Sequence, residues 1–386
     1  MTSLQYSSVQ PDNNRSTYKH LDVVNFTLNN QGRSLVLGSV KLEGKLKINT
    51  LANAQAVTPN DIRFNPNAGV GAFIDGVMVQ SAQNGTLENI QFDYARYLNM
   101  VAVASKDAND NFSSKDVCEL KAPYDDITRQ YAYGVTSKTT TSVNTLIDFS
   151  HKLKVCLNRQ VQGDNLPFSR SGFMKISISL ARDAQALYGT YYNTGADNMS
   201  TANYELSDLQ ITYQTVPDVG QNEPLVMRSL IPIKSTLESD FSNVASSVPA
   251  KCDAVSISYQ FQERENTNLD GSQQVQVWDN NALNKIPNWE SLQFIFNNSN
   301  SEYVSYIIDN QQEALKRAIE SMKDTGHNQV SLDAMNDEQH LIHGLSFGEM
   351  IDLSNQRFNI QLNAPNGISA DNKMVIYAFF HSLVSL

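Results

Sequence analysis

The sequence predicts an all-β protein made of two consecutive antiparallel β-sandwich (jelly-roll) domains, with a helix inserted in the second. Three observations predict this. Short runs of alternating apolar and polar residues recur along the 386-residue chain, turn-forming residues separate them, and a polar connector interrupts them past the middle. Alternation with period two places one face of a strand in a core and the other in water. So many short strands therefore favour a sandwich or jelly roll.

The connector sets the predicted domain organisation. Residues 204–217 read as a closing strand, in which Ile211 and Tyr213 alternate with polar neighbours. Pro217 then removes a backbone donor, and residues 218–224 have the composition of a linker. A chain of this length exceeds one typical core, so about two domains are expected. We predict an N-terminal arm (1–19), a first jelly roll (20–217), a linker (218–224) and a second jelly roll (225–386).

In the first unit, the polar residues 1–19 predict a mobile arm. The clearest strand is residues 40–49, where Leu42, Leu46 and Ile48 point one way and lysines point the other. This pattern is typical of an antiparallel strand with one buried face and one solvent-exposed face. The segment 165–169 is predicted to be a loop. Further strands are predicted at 21–28, 72–80, 90–92, 100–104, 143–149, 153–157 and 174–180.

In the second unit, a helical period interrupts the strands. Between 302 and 323, Val304, Ile308, Leu315 and Ile319 fall at spacings that place them on one helix face. The continuous apolar run 374–380 indicates a central, well-covered strand. The other strands of this unit are predicted at 225–234, 255–261, 274–278 and 357–362.

Composition excludes several classes of protein. The formal net charge of -11 argues against a protein that grips phosphate backbones, so no sequence-specific nucleic acid is expected as a partner. Cys118, Cys156 and Cys252 are too widely spaced for a zinc site or a disulfide framework, and buried free thiols are predicted. No secretion signal and no membrane-spanning run is evident, which indicates synthesis in the cytoplasm.

Two groups of ionisable residues suggest catalysis or metal binding, and both have simpler interpretations. His340 and His343, with Asp337 and Glu338 nearby, have the three-residue spacing of metal ligands on a helix, but a solvated loop or helix end explains them better. The pair Asp125-Asp126 suggests a glycan-active enzyme. Adjacent side chains on a strand point to opposite faces, however, so a polar turn is the better interpretation.

Glycines and tryptophans offer two further candidate sites. Gly69, Gly71 and Gly76 surround an apolar run, but no helix is predicted after them, which argues against a phosphate-binding loop. Trp278 and Trp289 are able to stack on a sugar or base, although burial in a β core is the commoner role. No cluster of ionisable groups stands out. We therefore expect no catalytic residue, no cofactor-binding residue and no metal ligand.

The order of these segments resembles the double jelly-roll major capsid proteins of icosahedral viruses and phages of the adenovirus/tectivirus type. In the first unit, the similar segments are 152–157, 165–169, 173–180 and 204–217. In the second, they are Gly344–Phe347, Ile351–Ser354 and 358–362. The resemblance covers about residues 20–384 and consists of architecture, because this family has no catalytic residues to carry over.

The resemblance implies a structural viral protein without enzymatic activity, assembled as a pseudo-hexameric homotrimer that tiles an icosahedral shell. Its implied partners are neighbouring capsid trimers, minor capsid or penton proteins and an internal membrane. The arm residues Arg15, Lys19 and His20 are able to touch an anionic surface. The implied location is the virion, after synthesis and assembly in the host cytoplasm. Two alternatives remain: a lectin-like attachment protein that binds carbohydrate, and a glycan-active enzyme.

Overall fold

The computed structural model describes residues 3–49, 64–105, 118–121, 146–190, 203–220, 224–246, 248, 251–265, 276–297, 303–322, 342–354 and 357–386. The strands of the first unit are β1 (Gln5–Val9), β2 (Thr17–Tyr18), β3 (Val23–Leu28), β4 (Arg33–Val36), β5 (Lys41–Asn49), β6 (Ile74–Ser81), β7 (Gly85–Ile90), β8 (Ile147–Lys152), β9 (Gln160–Gln162), β10 (Asn165–Pro167), β11 (Met174–Leu180), β12 (Gly189–Thr190) and β13 (Asn203–Pro217). Its helices are α1 (Tyr94–Ser105), α2 (Phe168–Ser171) and α3 (Asp183–Ala186).

The second unit continues the numbering. Its strands are β14 (Val226–Leu237), β15 (Phe241–Ser246), β16 (Lys251–Phe261), β17 (Gln276–Val277), β18 (Ser291–Asn297), β19 (Tyr303–Ile308), β20 (Ile342–Asp352), β21 (Arg357–Asn363) and β22 (Met374–Ser385), and its helix is α4 (Gln311–Ser321). Short 3₁₀ turns lie at Gly69–Phe73, Cys156–Asn158 and Gln262–Arg264.

The first unit is a jelly roll of two antiparallel sheets. Strand β13 is paired along one edge with β1 and β2 and along the other with β4 and β5, and β5 is paired in turn with β8. The facing sheet has the order β3-β11-β6-β7. We take β1 and β2 as one interrupted strand. The eight main strands are then β1/β2, β3, β5, β6, β7, β8, β11 and β13, and they are distributed between the two sheets as in a jelly roll.

The second unit repeats this arrangement strand for strand. One sheet has the order β14-β22-β16-β20 and the other has the order β15-β21-β18-β19. The first, third, sixth and eighth strands of each unit share one sheet, and the second, fourth, fifth and seventh share the other. We call the sheets that hold β13 and β22 the inner sheets, and the predicted all-β double sandwich is confirmed.

Each jelly roll carries a helix at the same place, between its fifth and sixth strands. Helix α4 lies between β19 and β20, and α1 lies between β7 and β8. A helix was predicted in the second unit alone, and the strand predicted at 100–104 is wrong, because those residues form the end of α1. The predicted helix 302–323 is also too long: residues 303–308 are strand β19, and the helix begins after Asn310, whose Oδ1 accepts a hydrogen bond from the Glu313 backbone N–H at 2.8 Å.

The N-terminal segment is a strand where a mobile arm was predicted. Gln5–Val9 pairs with β13 over five residues, and Thr17–Tyr18 pairs with it farther along. The basic residues of the segment are engaged within the chain, since Arg15 contacts Asp22, Lys19 contacts Glu205 and His20 contacts Asp183. Without this segment, the hydrogen-bonding edge of β13 is exposed, so the jelly roll requires it.

Two shorter predictions are also corrected. Residues 153–157 lead into a 3₁₀ turn, because the backbone there leaves the inner sheet to reach the second unit. Residues 165–169, predicted as a loop, begin with β10, which pairs with β4, and continue into α2. Most other predicted strands are present with shifted ends; residues 143–145 lie outside the described part of the chain.

Strand β22 is buried on both faces, as its continuous apolar run predicts. Ile376, Ala378 and Phe380 belong to the core of the second jelly roll, which lies between its two sheets. The alternate residues Tyr377 and Phe379 belong to the apolar cluster that extends from the first jelly roll. The inner sheet of the second unit is therefore covered on its outer face by the first unit, and the two cores meet there.

Candidate functional site: the junction of the two jelly rolls

The junction is formed by helix α1 of the first unit and the inner sheet of the second. Tyr97 of α1 packs its ring against Phe379 of β22, with ring centroids 5.3 Å apart, and against His381 at 6.1 Å. Tyr97 and Phe379 are both buried. Burial of large aromatic side chains stabilises a contact by a few kcal/mol each, so this is an adhesive surface of the kind found inside domains.

A buried carboxylate joins the two units at a second point. Glu88, on β7, accepts a backbone hydrogen bond from Cys156 at 2.6 Å and one from Leu230, on β14, at 2.9 Å. The Arg159 guanidinium forms an ion pair with the same carboxylate. Burial raises the pKa of Glu88, while Arg159 and the two backbone donors oppose that rise. Both oxygens of the carboxylate are thus bound, and they connect the first unit to β14 of the second.

Polar side chains of the first unit also bind the loop that follows β17. The Arg96 guanidinium donates to the backbone oxygens of Ala282, at 2.7 Å, and Asn280, and it lies 3.8 Å above the ring of Tyr377. Asn99 donates to the Asn281 oxygen at 2.7 Å. Asn65, before the first 3₁₀ turn, donates from its side chain to Asp279 Oδ2 at 2.8 Å. Side-chain donors of one unit thereby satisfy the loop oxygens of the other.

Backbone pairing crosses the junction twice. Strand β9, from the first unit, extends the inner sheet of the second by pairing with Val226 and Met227 of β14. Strand β12 pairs with β17 in a separate two-stranded sheet. Apolar packing, buried hydrogen bonds and shared sheets thus hold the two jelly rolls in a fixed arrangement. The contacts of the junction hold the two units together.

The histidine predicted as a possible metal ligand has a different role. His343 lies on β20 and not on a helix, and it is fully buried. Its Nδ1 and the Tyr259 hydroxyl share a hydrogen bond at 2.8 Å, its ring packs on Trp289 at 4.7 Å, and burial lowers its pKa to about 3. His343 is therefore a neutral core residue. Asp337, Glu338 and His340 lie outside the described residues.

The remaining candidates divide between those that the structure describes and those that it does not. Asp125 and Asp126 lie outside the described residues. Within the described part of the chain, no group of three or more His, Cys, Asp or Glu side chains is arranged to hold a metal ion, and no helix is long and apolar enough to cross a membrane. Of the free cysteines, Cys156 and Cys252 are buried as predicted, whereas Cys118 is exposed.

The tryptophans and glycines serve packing. The Arg264 guanidinium covers the Trp278 ring at 4.3 Å, which occupies a face on which a sugar would stack. A Cβ atom on Gly76 would lie 2.6 Å from the backbone oxygen of Ile90, and one on Gly71 would lie 2.2 Å from a methyl group of Leu98. These glycines allow close approach of the backbone to its neighbours, and they do not form a phosphate-binding loop.

Sequence reasoning missed the residues that make the junction. Glu88 lies in a strand with polar neighbours, and Arg96 and Asn99 lie between the strands predicted at 90–92 and 100–104. The one available signal was the polar pair Arg96 and Asn99 within an otherwise apolar run. Two polar residues three apart in such a run indicate a helix with a buried polar contact.

The comparisons with known proteins identify the fold. No family model matches the chain, and no curated protein matches it. Solved structures match over its whole length. The Faustovirus major capsid protein has 8% sequence identity and a TM-score of 0.59, with 100% of this chain and 90% of that chain covered. The PBCV-1 virus capsid has 11% identity and a TM-score of 0.59, with 100% and 95% covered. The chain has the double jelly-roll fold.

A third solved structure matches the chain to a similar extent. The match to the Sputnik virophage structure has 10% identity and a TM-score of 0.60, with 99% of this chain and 86% of that chain covered. Coverage of this extent includes both jelly rolls of this chain. At such low identity, the property shared with these structures is the fold. The likeness does not extend to the side chains that form the junction in this chain.

Proposed function

We propose that this chain is a major capsid protein that builds an icosahedral viral shell and has no enzymatic activity. The observation that carries the proposal is the repetition of one jelly roll, with eight main strands in the same order and a helix between the fifth and sixth, within a fold shared over nearly full length with viral capsid structures. Two equivalent units in one chain supply two similar outer surfaces, as a tile with approximate six-fold symmetry requires.

The proposed assembly unit is a homotrimer with six jelly rolls. The extensive junction supports this assembly, because a tile keeps its outline when its two units are held together. In this proposal, the trimer contacts neighbouring trimers and minor capsid or penton proteins, and its base faces an internal membrane. The virion is the proposed location, after synthesis in the host cytoplasm.

The proposed domain division follows the sheets. We place the linker at 218–224, between β13 and β14, and the second jelly roll at 225–386. The first jelly roll extends from 20 to 217, and the preceding segment 1–19 supplies its first strand. The carbohydrate-binding alternative has less support, because Trp278 is covered by Arg264 and Trp289 packs on His343.

Light scattering on a size-exclusion column tests the proposed assembly unit. The chain has a mass of 43.0 kDa, and the proposal predicts a stable species of about three times that mass that resists dilution. A clean monomer at micromolar concentration would contradict the proposed trimer. In that case, binding to a glycan array would be the next measurement.

A further inference from the structure

The junction contains more acidic than basic side chains, and the acidic ones are partly buried. Four carboxylates approach it from different elements: Asp75 on β6, Asp93 just before α1, Glu265 after β16, and Asp279 in the loop after β17. The cations that face them are Arg96 on α1 and Lys234 on β14, with Arg182 near Asp75. We call these seven residues, together with Tyr377, the acidic cluster.

Asp93 lies at the centre of the acidic cluster. Its backbone N–H donates to Asp75 Oδ1 at 3.3 Å, which holds the two acidic residues together. Its own Oδ1 is 3.9 Å from the Arg96 Nε, a distance too long for a hydrogen bond. The Asp93 side chain is 19% exposed, and that of Arg96 is 1% exposed. Asp93 is therefore poorly solvated and weakly paired.

The nearby cations are used by other partners. Lys234 Nζ contacts Glu265 Oε1 at 2.7 Å, and the Tyr377 hydroxyl donates to the same carboxylate oxygen. The Arg96 guanidinium donates to backbone oxygens of the second unit and lies on the Tyr377 ring. When Asp75, Asp93 and Asp279 are all ionised, their charges are not matched one to one. Proton uptake by one of them relieves both repulsion and the cost of burial.

We propose that the acidic cluster is a pH-sensitive latch between the two jelly rolls, in which proton uptake in mildly acidic solution tightens the junction. The cluster joins elements of both units, so the charge of Asp93 acts directly on their contact. This inference rests on the fold and the junction, and it holds or fails independently of the proposed capsid function.

The direction of the effect follows from the pKa values. Burial raises the pKa of Asp93 from 3.8 to about 6 and also raises the pKa values of Asp75 and Asp279. An acid whose pKa is raised in the closed state binds protons more tightly there than in the open state. Acidification from pH 7.5 to 5 therefore favours the closed junction, by about 10-fold in the opening equilibrium for Asp93.

Hydrogen exchange at several pH values, corrected for the intrinsic exchange rate, tests the latch. The readout is the protection of peptides from α1 and from residues 279–284 in the full-length protein. In the wild type, we expect these peptides to be more strongly protected at pH 5 than at pH 7.5. In Asp93→Asn, we expect protection at pH 7.5 to be higher than in the wild type, and its increase on acidification to be smaller because only Asp75 and Asp279 still take up a proton. The control Asp208→Asn, on the surface beside Lys45, should keep the wild-type dependence.

The comparison between variants separates Asp93 from other groups. His343, with its lowered pKa, titrates over an overlapping range with the opposite sign, so the difference between variant and wild type is the decisive quantity. If Asp93→Asn keeps the full wild-type pH dependence, the latch is wrong. If Asp93→Asn does not fold, Asp75→Asn provides the test: removal of the neighbouring charge lowers the pKa of Asp93 and shifts the transition to lower pH. An unshifted transition would overturn the proposal.

Discussion

The Glu88 carboxylate of the first jelly roll lies 2.9 Å from the backbone nitrogen of Leu230 in the second, and it accepts a hydrogen bond there. The same carboxylate binds Arg159 and the Cys156 backbone. One buried anion therefore connects a strand, a loop and a neighbouring domain. The junction depends on such contacts as well as on apolar packing, and this dependence can be measured.

Removal of the Glu88 carboxylate should weaken the whole molecule. In Glu88→Ala, the buried Arg159 guanidinium loses its ion pair with this carboxylate, which costs about 3–5 kcal/mol of unfolding free energy. Urea unfolding at pH 7.5 measures the loss. The double variant Glu88→Leu/Arg159→Met should recover part of it, because no unpaired charge remains. Equal losses in the single and double variants would show that the ion pair is not the source of the effect.

Deletion of residues 1–10 should destabilise the first jelly roll. The deletion removes β1 and exposes the edge of β13, so we expect the thermal midpoint to fall by about 2–4 °C for each kcal/mol lost. Exposed edges pair with other chains, so concentration-dependent aggregation is also expected. Differential scanning calorimetry and light scattering check both effects. A mobile arm would leave the thermal midpoint unchanged, and that result would contradict the role assigned to β1.

Substitution of Gly344 should disturb the packing of α4 on β20. A Cβ atom there would lie 2.0 Å from Ser321 Oγ and 2.9 Å from the backbone oxygen of Val255. The helix and strand must separate to admit it, so Gly344→Ala should cost about 1–3 kcal/mol. Urea unfolding measures the cost, and limited proteolysis within α4 should become faster. Wild-type stability in the variant would show that the helix is not tightly seated.

His343 should make the protein less stable in acid. Its pKa is lowered to about 3 in the folded state, against 6.5 when exposed, so the unfolded state binds the proton more tightly. Stability from this residue is fully present above about pH 6.5 and is lost as the pH falls, by up to about 1.4 kcal/mol per pH unit. His343→Gln keeps a hydrogen-bonding group for Tyr259 and does not titrate.

Urea unfolding at pH 7.5, 6 and 5 measures this effect as the difference between His343→Gln and wild type. We expect the variant to gain stability relative to wild type as the pH falls. Two pH profiles that run parallel would contradict the assignment of His343 as a buried neutral residue.

The sequence predicts the sandwiches well because their strands alternate. It predicts β22 as a central strand for a physical reason, since a strand covered on both faces needs apolar residues at every position. Helix α1 was missed for a related reason. Most of its residues are buried, including the polar Arg96 and Asn99, so it lacks the polar face that makes helical periodicity visible.

The junction was beyond prediction because its contacts are distant in the chain. Glu88 and Leu230 are separated by 142 residues, and the pairing of a carboxylate with a backbone N–H leaves no pattern in the sequence. The N-terminal strand was missed because Gln5–Val9 is polar and mostly exposed, as an edge strand is allowed to be. Local pattern predicts which face of an element is buried, and the fold alone decides what covers it.

Electron microscopy of the purified oligomer tests the central claim most directly. The proposed trimer of double jelly rolls predicts class averages with three-fold symmetry and six similar lobes in a pseudo-hexagonal outline, two lobes from each chain. Averages that show isolated two-lobed monomers, or an oligomer without three-fold symmetry, would contradict the proposal that this chain forms the tile of an icosahedral shell.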